Sequence, residues 1–246
     1  MEWLNQDYAI LLKTAKDNIF QKIINYLFLL ILCSSFFACN SLPQKETVTA
    51  EIDTLPFYIS PDFTPYWVGK TAAEYERIHT VADFAFTNQS GETISQETVK
   101  GKIYVTDFIF TACPGICPKM MNNMVKVQEA FKGDDNVLLL SHSVTPEIDS
   151  VKALKKFGER NGAIEGKWHL LTGERKAIYD IARKSYFADE DLGFSRDGND
   201  FLHTENFILV DGQRRIRGIY NGVLPAEVDR LIEDIHTLKL EIDDGY

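Results

Sequence analysis

The chain has 246 residues, enough for one well-buried domain preceded by a leader. Hydrophobic residues make up 45% and charged residues 25%, which excludes a wholly disordered chain. The net charge of −10 argues against nucleic acid as a partner, because such a partner requires clustered Lys and Arg. The four cysteines, two early and two near the middle, do not form the framework of a disulfide-stapled mini-protein.

Residues 1–39 are expected to form a leader. An apolar stretch at 23–38 follows three lysines; it is shorter than the roughly 20 residues of a membrane-spanning helix, but suits the core of a secretory signal. It ends in Ala38-Cys39, which resembles a bacterial lipobox, so Cys39 is expected to be the lipidated first residue of the mature protein. The alternatives are an uncleaved N-terminal anchor and a buried cytosolic helix. The first two place the domain on the periplasmic side of a membrane.

Residues 40–80 are polar and rich in Pro, Thr and Glu, which predicts a tether and then an irregular lead-in to the domain. Aromatic residues from Phe57 to Trp67 indicate that part of this stretch packs onto the domain. We assign the domain itself to residues 81–246.

Strands alternate with helices through the domain, which predicts an α/β layered architecture. The apolar run at 102–110 (KIYVTDFIF) predicts a buried central strand. A helix from Thr145, as its cap, to about Arg160 would end at Asn161-Gly162. The remaining predictions are a first hairpin with strands at 83–87 and 92–95, further strands at 137–143, 167–171, 205–210 and 214–220, helices at 119–131, 174–185 and 225–238, and a polar loop at 187–203.

Cys113 and Cys117 lie where the predicted central strand gives way to a helix. If Cys117 is in the first helical turn, both sulfurs can face one side, and the positive end of the helix stabilises a thiolate. Two thiolates at this spacing can close a disulfide or bind a soft metal ion such as Cu(I). An inert structural disulfide is the alternative, but such a staple seldom closes so short a loop.

Two cysteines alone would leave the coordination of a metal ion incomplete, so a third ligand is expected. Of the five histidines, His203 is the best placed to provide it. It precedes the strand at 205–210, and if that strand neighbours the central one, His203 lies beside the cysteine pair. The other four are less well placed. His79 precedes the first strand, and His142, inside an apolar strand, is either a core residue or a support for the ligands. His169 lies in a short strand, and His236 lies in the last turn of the final helix.

Two further features near the cysteines have competing interpretations. Met120 and Met124 share a helix face and could contribute thioethers to copper, but core packing is the simpler explanation. Asp107, inside the apolar strand, is either a buried carboxylate that handles protons near the thiols or a residue of a half-exposed strand.

These residues together resemble the Sco/SenC family. Phe110-Thr-Ala-Cys113-Pro-Gly-Ile-Cys117-Pro118 is similar to its CPxxCP signature after an apolar strand. Ser-Val-Thr-Pro-Glu at 143–147 is similar to its Ser-Val-Asp-Pro-Glu turn, and His203 before FILVDG falls at the position of its distal copper-ligating His. The resemblance extends from about Ala82 to Leu238.

The resemblance implies a thioredoxin-like fold in a peroxiredoxin-like variant, with a mixed central sheet flanked by helices. It implies bound Cu(I) or Cu(II), ligated by Cys113, Cys117 and His203, and a role in assembling the copper centre of cytochrome c oxidase. Expected partners are the copper-bearing oxidase subunit or another copper recipient, a thiol reductant and the membrane. In this chain Gly115 replaces a frequent acidic residue, and Leu202 replaces an Asp that often precedes the His.

A metallochaperone, rather than an enzyme, is therefore the leading interpretation, and the main alternative is an envelope thiol–disulfide oxidoreductase. Thioredoxins use a CxxC pair and a facing cis-proline, whereas here three residues separate the cysteines and Thr204-Glu205 precede the strand. The same sulfurs could also reduce partner cysteines before copper transfer. A redox sensor is the third interpretation, and it requires the cysteines but not His203.

Overall fold

The computed structural model describes residues 54–112, 115–188 and 204–243, with the side chains of the last two residues excepted. In chain order the strands are β1 (Phe57–Tyr58), β2 (Pro65–Tyr66), β3 (Ala85–Thr87), β4 (Thr93–Ser95), β5 (Ile103–Ile109), β6 (Val137–Ser143), β7 (Trp168–Leu171), β8 (Asn206–Val210) and β9 (Ile216–Asn221). The helices are α1 (Gln96–Val99), α2 (Cys117–Phe131), α3 (Val151–Asn161), α4 (Arg175–Lys184) and α5 (Pro225–Asp243), with a short 3-10 turn at Tyr75–Arg77.

A five-stranded mixed sheet in the order β7-β6-β5-β8-β9 forms the centre of the domain. Strands β5, β6 and β7 run parallel, whereas β8 runs antiparallel to both of its neighbours. The predicted central strand is the middle strand, β5, and all seven of its residues are buried. Both flanking strands and all four long helices occur where the sequence predicts them, within two residues except for the start of α3 and the end of α5.

Alternate residues of β5 face two separate cores, because side chains along a strand point to opposite faces. Val105 and Ile109 pack with buried residues of α2, α3 and α5. Tyr104 and Phe108 pack with residues of α4 and of the first hairpin. The sheet therefore lies between two helical layers, as the α/β pattern predicts.

The predicted first hairpin is present, and its turn also covers one edge of the central sheet. Strand β3 pairs antiparallel with β4, and Gly91 in the connecting turn has a φ of 82°. The side chain of Gln89 donates to the carbonyl of Trp168 at 2.7 Å and accepts from the N–H of Leu170 at 2.8 Å. This amide satisfies backbone groups on edge strand β7.

The lead-in segment is fixed to the domain by a cluster of buried charges. The Arg217 guanidinium donates to the carbonyl of Leu55 at 2.6 Å and to the carboxylate of Glu241 at 2.7 Å. Phe57 is buried, and the Arg217 guanidinium lies 4.3 Å from the centre of its ring. Phe57 thus packs onto the domain as predicted, whereas Trp67 is exposed.

The predicted start of α3 at Thr145 is wrong. The helix begins at Val151, where Ser150 is the cap and its Oγ accepts a hydrogen bond from the N–H of Ala153. Residues 145–149 form a turn instead, because the Thr145 hydroxyl donates to the buried Asp149 carboxylate at 2.9 Å. The predicted C-terminal end is confirmed: Gly162 has a φ of 72° and caps the helix.

Candidate functional site

Of the three predicted ligands, only Cys117 falls within the described residues; Cys113 and His203 lie outside them. Cys117 is buried and is the first residue of α2, two residues before the predicted start of that helix. It follows the carboxyl end of β5, where ligands of open α/β sheets usually bind. We call this end of the sheet, where β5 and β6 finish, the site end.

The start of α2 favours a negatively charged sulfur. The helix has 15 residues, has no acidic residue in its first turn, and its N-cap residue Ile116 provides no side-chain hydrogen bond. The positive end of the helix macrodipole therefore acts on a thiolate at Cys117 without an opposing carboxylate from that turn.

Strand β8 lies beside the central strand, which is the condition on which the predicted position of His203 depends. It pairs antiparallel with β5, with Thr106 opposite Ile208 and Tyr104 opposite Val210. The amino end of β8 therefore lies beside the carboxyl end of β5. Thr204, the residue that follows His203 in the chain, is buried there.

The buried Asp149 joins the two loops that follow β5 and β6. Its carboxylate accepts the Thr111 hydroxyl at 2.5 Å and the Thr111 backbone N–H at 3.3 Å. It also accepts the hydroxyls of Ser143 at 2.7 Å and Thr145 at 2.9 Å. Asp149 is not among the residues predicted for the site, and its only signal in the sequence is the pair of hydroxyl residues at 143 and 145.

Asp107 is fully buried, so the alternative of a half-exposed strand is wrong. Its Oδ1 accepts the Ser141 hydroxyl at 2.5 Å, and Ser141 Oγ in turn accepts the indole N–H of Trp168 at 2.8 Å. Its Oδ2 has no hydrogen-bond partner among the described residues. Burial raises the pKa of Asp107 to about 7, so the folded protein holds this carboxyl mainly neutral in mild acid.

His142 is a core residue on the opposite face of the sheet. Its ring stacks on Phe108, with 5.3 Å between the ring centres, and meets Phe86 edge-on at 5.3 Å. Burial lowers the pKa of His142 to about 3, so the imidazole stays neutral in the folded protein.

The remaining histidines and the methionines also have structural roles. His79 Nε2 lies 2.8 Å from the carbonyl of Ser185, and His169 Nδ1 lies 3.2 Å from the amide nitrogen of Asn88. The His236 ring packs on a phenylalanine of α2. The core-packing prediction is confirmed for the methionines of α2, which are all fully buried: Met120, Met121 and Met124.

Among residues 54–112, 115–188 and 204–243, no three His, Cys, Asp or Glu side chains are grouped so that they could hold a metal ion. Nor does this part of the chain contain a helix long and apolar enough to cross a membrane.

The model of the SCO1/SenC family matches residues 72–239. The chain belongs to the SCO1/SenC family. The SCO1 protein homolog of Bacillus subtilis (strain 168) is 36% identical over 160 residues, which cover 64% of this chain and 81% of the relative. The predicted family membership is thus confirmed.

Three solved structures support the thioredoxin-like fold that the sequence implies. The SCO1/SenC family lipoprotein of Bacillus anthracis str. Ames has a TM-score of 0.57 and 29% identity, covering 65% of this chain and 95% of its own. BsSco, a member of the Sco family of cytochrome c oxidase assembly proteins in which a disulfide switch was identified, has a TM-score of 0.56 and 34% identity, covering 65% and 94%. ScoI of Bradyrhizobium japonicum, solved with copper bound, has a TM-score of 0.50 and 25% identity, covering 63% and 98%.

Proposed function

We propose that this protein is a copper metallochaperone that binds copper through Cys113, Cys117 and His203. The observation that carries the proposal is the meeting of two chain segments at the site end. Cys117 opens α2 after β5, and β8, which begins three residues after His203, pairs antiparallel with β5. The copper bound to the B. japonicum relative supports the choice of metal.

The chemistry of the proposed ligand set suits both oxidation states of copper. Thiolates are the preferred protein ligands of Cu(I), and imidazole suits Cu(II). The positive end of α2 offsets part of the negative charge that two thiolates bring to the site. A two-thiolate, one-imidazole site leaves an open position through which copper can pass to a recipient.

We further propose that the recipient is the copper-bearing subunit of cytochrome c oxidase. BsSco, which is 34% identical and matches this fold over most of its own length, belongs to a family of oxidase assembly proteins. If the recipient is correct, cells that lack this protein should assemble an oxidase depleted of copper, and wild-type protein should restore the copper but a Cys117→Ser variant should not.

The ligands can be tested by copper titration of the reduced full-length chain in mild detergent. We expect one copper per chain and a Cu(II)–thiolate charge-transfer band, both lost in Cys113→Ser and Cys117→Ser. His203→Ala should alter the band and weaken Cu(II) more than Cu(I), because Cu(I) tolerates two thiolates. His236→Ala, an exposed His on α5, is the matched control. Unchanged binding of both ions by His203→Ala would exclude His203 as a ligand.

Disulfide exchange by the same pair is a second candidate function, favoured by the disulfide switch identified in BsSco. In that reaction the thiols of Cys113 and Cys117 form a disulfide, and their two electrons and two protons reduce a partner disulfide to two thiols. A separate thiol reductant would then restore the pair. His203→Ala separates the candidates, because it should impair copper binding and leave disulfide exchange intact.

We also propose that the domain is held on the extracytoplasmic side of a membrane by the leader at residues 1–39, with Cys39 lipidated. The similar protein of B. anthracis is a lipoprotein, which supports this anchor. Cys39→Ser should move the protein from the membrane fraction to the soluble fraction or block processing of the leader. An uncleaved anchor would instead keep a Cys39→Ser variant in the membrane at the same mass as the wild type.

A further inference from the structure

The carboxylate of Asp149 is buried among neutral donors. Its four hydrogen bonds come from three hydroxyls and one backbone N–H, all of them at the site end. A carboxylate buried in this way is costly unless several donors satisfy it. Such a group is a strong constraint on the segments that supply those donors.

The donors belong to two different chain segments, one after β5 and one at the end of β6. Thr111 provides two of the four bonds and lies two residues before Cys113. Ser143 and Thr145 provide the other two, from the end of β6 and the turn after it. The last backbone hydrogen bond between these strands runs from the N–H of Val144 to the carbonyl of Ile109 at 2.8 Å. Asp149 thus extends the connection beyond the end of the β5–β6 pairing, toward the first cysteine.

This connection is relevant to the cysteine pair because the two cysteines belong to different parts of the chain. Cys117 is part of α2 and packs with the core through that helix. Cys113 follows Thr111 by two residues in the sequence and precedes α2. Asp149 accepts hydrogen bonds from both the side-chain hydroxyl and the backbone N–H of Thr111, and so fixes this residue two positions before Cys113.

We propose that Asp149, through Thr111, is a positioning residue that sets the approach of Cys113 to Cys117. The proposal deepens the copper-binding function and rests on it for its metal readout. Ligand positions must be held within a few tenths of an ångström for tight binding, and losing a group that orients a ligand typically weakens metal affinity 10- to 100-fold.

The test compares two isosteric variants that each remove one hydroxyl from the same carboxylate. Thr111→Val removes the donor on the cysteine segment, and Thr145→Val removes the donor on the turn after β6. Both should lower the resistance of the reduced apoprotein to urea to a similar extent. Only Thr111→Val should raise the Cu(I) dissociation constant, by about tenfold, and shift the Cu(II)–thiolate band. Thr111→Ser, which retains the hydroxyl, should restore both properties.

A second readout does not require copper. Equilibration of the full-length chain with oxidised and reduced glutathione gives the reduction potential of the Cys113–Cys117 pair, as two thiols lose two electrons and two protons to oxidised glutathione. Looser positioning disfavours the disulfide, so Thr111→Val should raise this potential by about 30 mV, equivalent to a tenfold change in the equilibrium constant. Thr145→Val should leave it unchanged.

The proposed function and this inference fail in different ways. If the wild-type protein binds no copper, the metallochaperone function is wrong, and the glutathione potentials still test Asp149. If Thr111→Val and Thr145→Val change the copper affinity and the potential equally, or change neither, then Asp149 only stabilises the turn and the positioning role is wrong.

Discussion

Buried carboxylates are satisfied differently at the two ends of the central sheet. At the end where β5 begins, Asp211 and Glu241 are ion-paired with Arg217, and Asp211 also with Arg215. At the site end, Asp149 and Asp107 accept hydrogen bonds from hydroxyls. Ion pairs therefore fix the lead-in segment, whereas the site end keeps buried acids beside neutral donors. Loss of an ion pair should thus cost stability alone, and changes at the site end should affect titration and ligand geometry.

Breaking the ion-paired end should have the largest effect. Arg217→Met leaves the carboxylate of Glu241 buried without its guanidinium, which should lower the free energy of unfolding by about 3–5 kcal/mol. Copper stoichiometry of the folded protein should stay at the wild-type value. Arg230→Met removes an exposed pair with Glu227 and is the control, with an expected loss of no more than about 1 kcal/mol. Equal losses in the two variants would show that the buried cluster stabilises nothing.

Asp107 should make folding less favourable as the pH rises. Its folded pKa of about 7 is raised above the usual 3.8, so its neutral form stabilises the fold fully below pH 3.8, and this contribution is lost as the pH rises to 7. The free energy of unfolding, measured with urea, should therefore fall less steeply with pH across this window in Asp107→Asn than in the wild type, by up to about 1.4 kcal/mol per pH unit. The exposed Asp135→Asn is the control and should follow the wild type.

His142 should act in the opposite direction. Its folded pKa of about 3 is lowered from 6.5, so its contribution is complete above pH 6.5 and is lost as the pH falls toward 3. As the pH falls from 6.5 toward 3, the free energy of unfolding should decrease less in His142→Phe than in the wild type, by up to about 1.4 kcal/mol per pH unit. Between pH 3.8 and 6.5 the two contributions have opposite slopes and cancel. If these two groups together made the free energy of unfolding of the wild type change steeply with pH in this window, the assignment would be contradicted.

A smaller effect is expected from adding a charge near the cysteines. A Cβ at Gly115 would meet no atom within 4 Å, so nothing in the described structure prevents an acidic side chain there. Gly115→Asp should disfavour the thiolates and favour Cu(II) over Cu(I), by roughly 0.5–1 kcal/mol and less at high salt. Gly133→Asp, beyond the far end of α2 and equally open, is the control. The same shift in both variants would mean that the effect is not local.

Local sequence patterns predicted most of the fold. The run KIYVTDFIF identified β5, the two closely spaced strand patterns at 83–87 and 92–95 identified the first hairpin, and Asn161-Gly162 identified the end of α3. Each of these signals depends on a few neighbouring residues, so it can be read without knowing the rest of the structure.

The errors arose where residues distant in sequence decide the outcome. Asp149 accepts the hydroxyl of Thr145 and also that of Thr111, 38 positions away, and α3 starts later than the predicted cap at Thr145 suggested. Helix α5 runs five residues past the predicted Leu238, and Glu241 in this added part pairs with Arg217 on β9. For the site, the sequence made the position of His203 conditional on its strand lying beside β5, a condition that the structure meets, but it gave no partner for Asp107 and no role for Asp149.

The central claim is that Cys113, Cys117 and His203 bind copper together, and X-ray absorption of the Cu(I)-loaded full-length protein tests it most directly. The account predicts two sulfur scatterers and one nitrogen scatterer per copper. Cys117→Ser should bind no stoichiometric copper, and the nitrogen should disappear in His203→Ala. Copper coordinated only by nitrogen and oxygen, or a nitrogen that persists in His203→Ala, would contradict it.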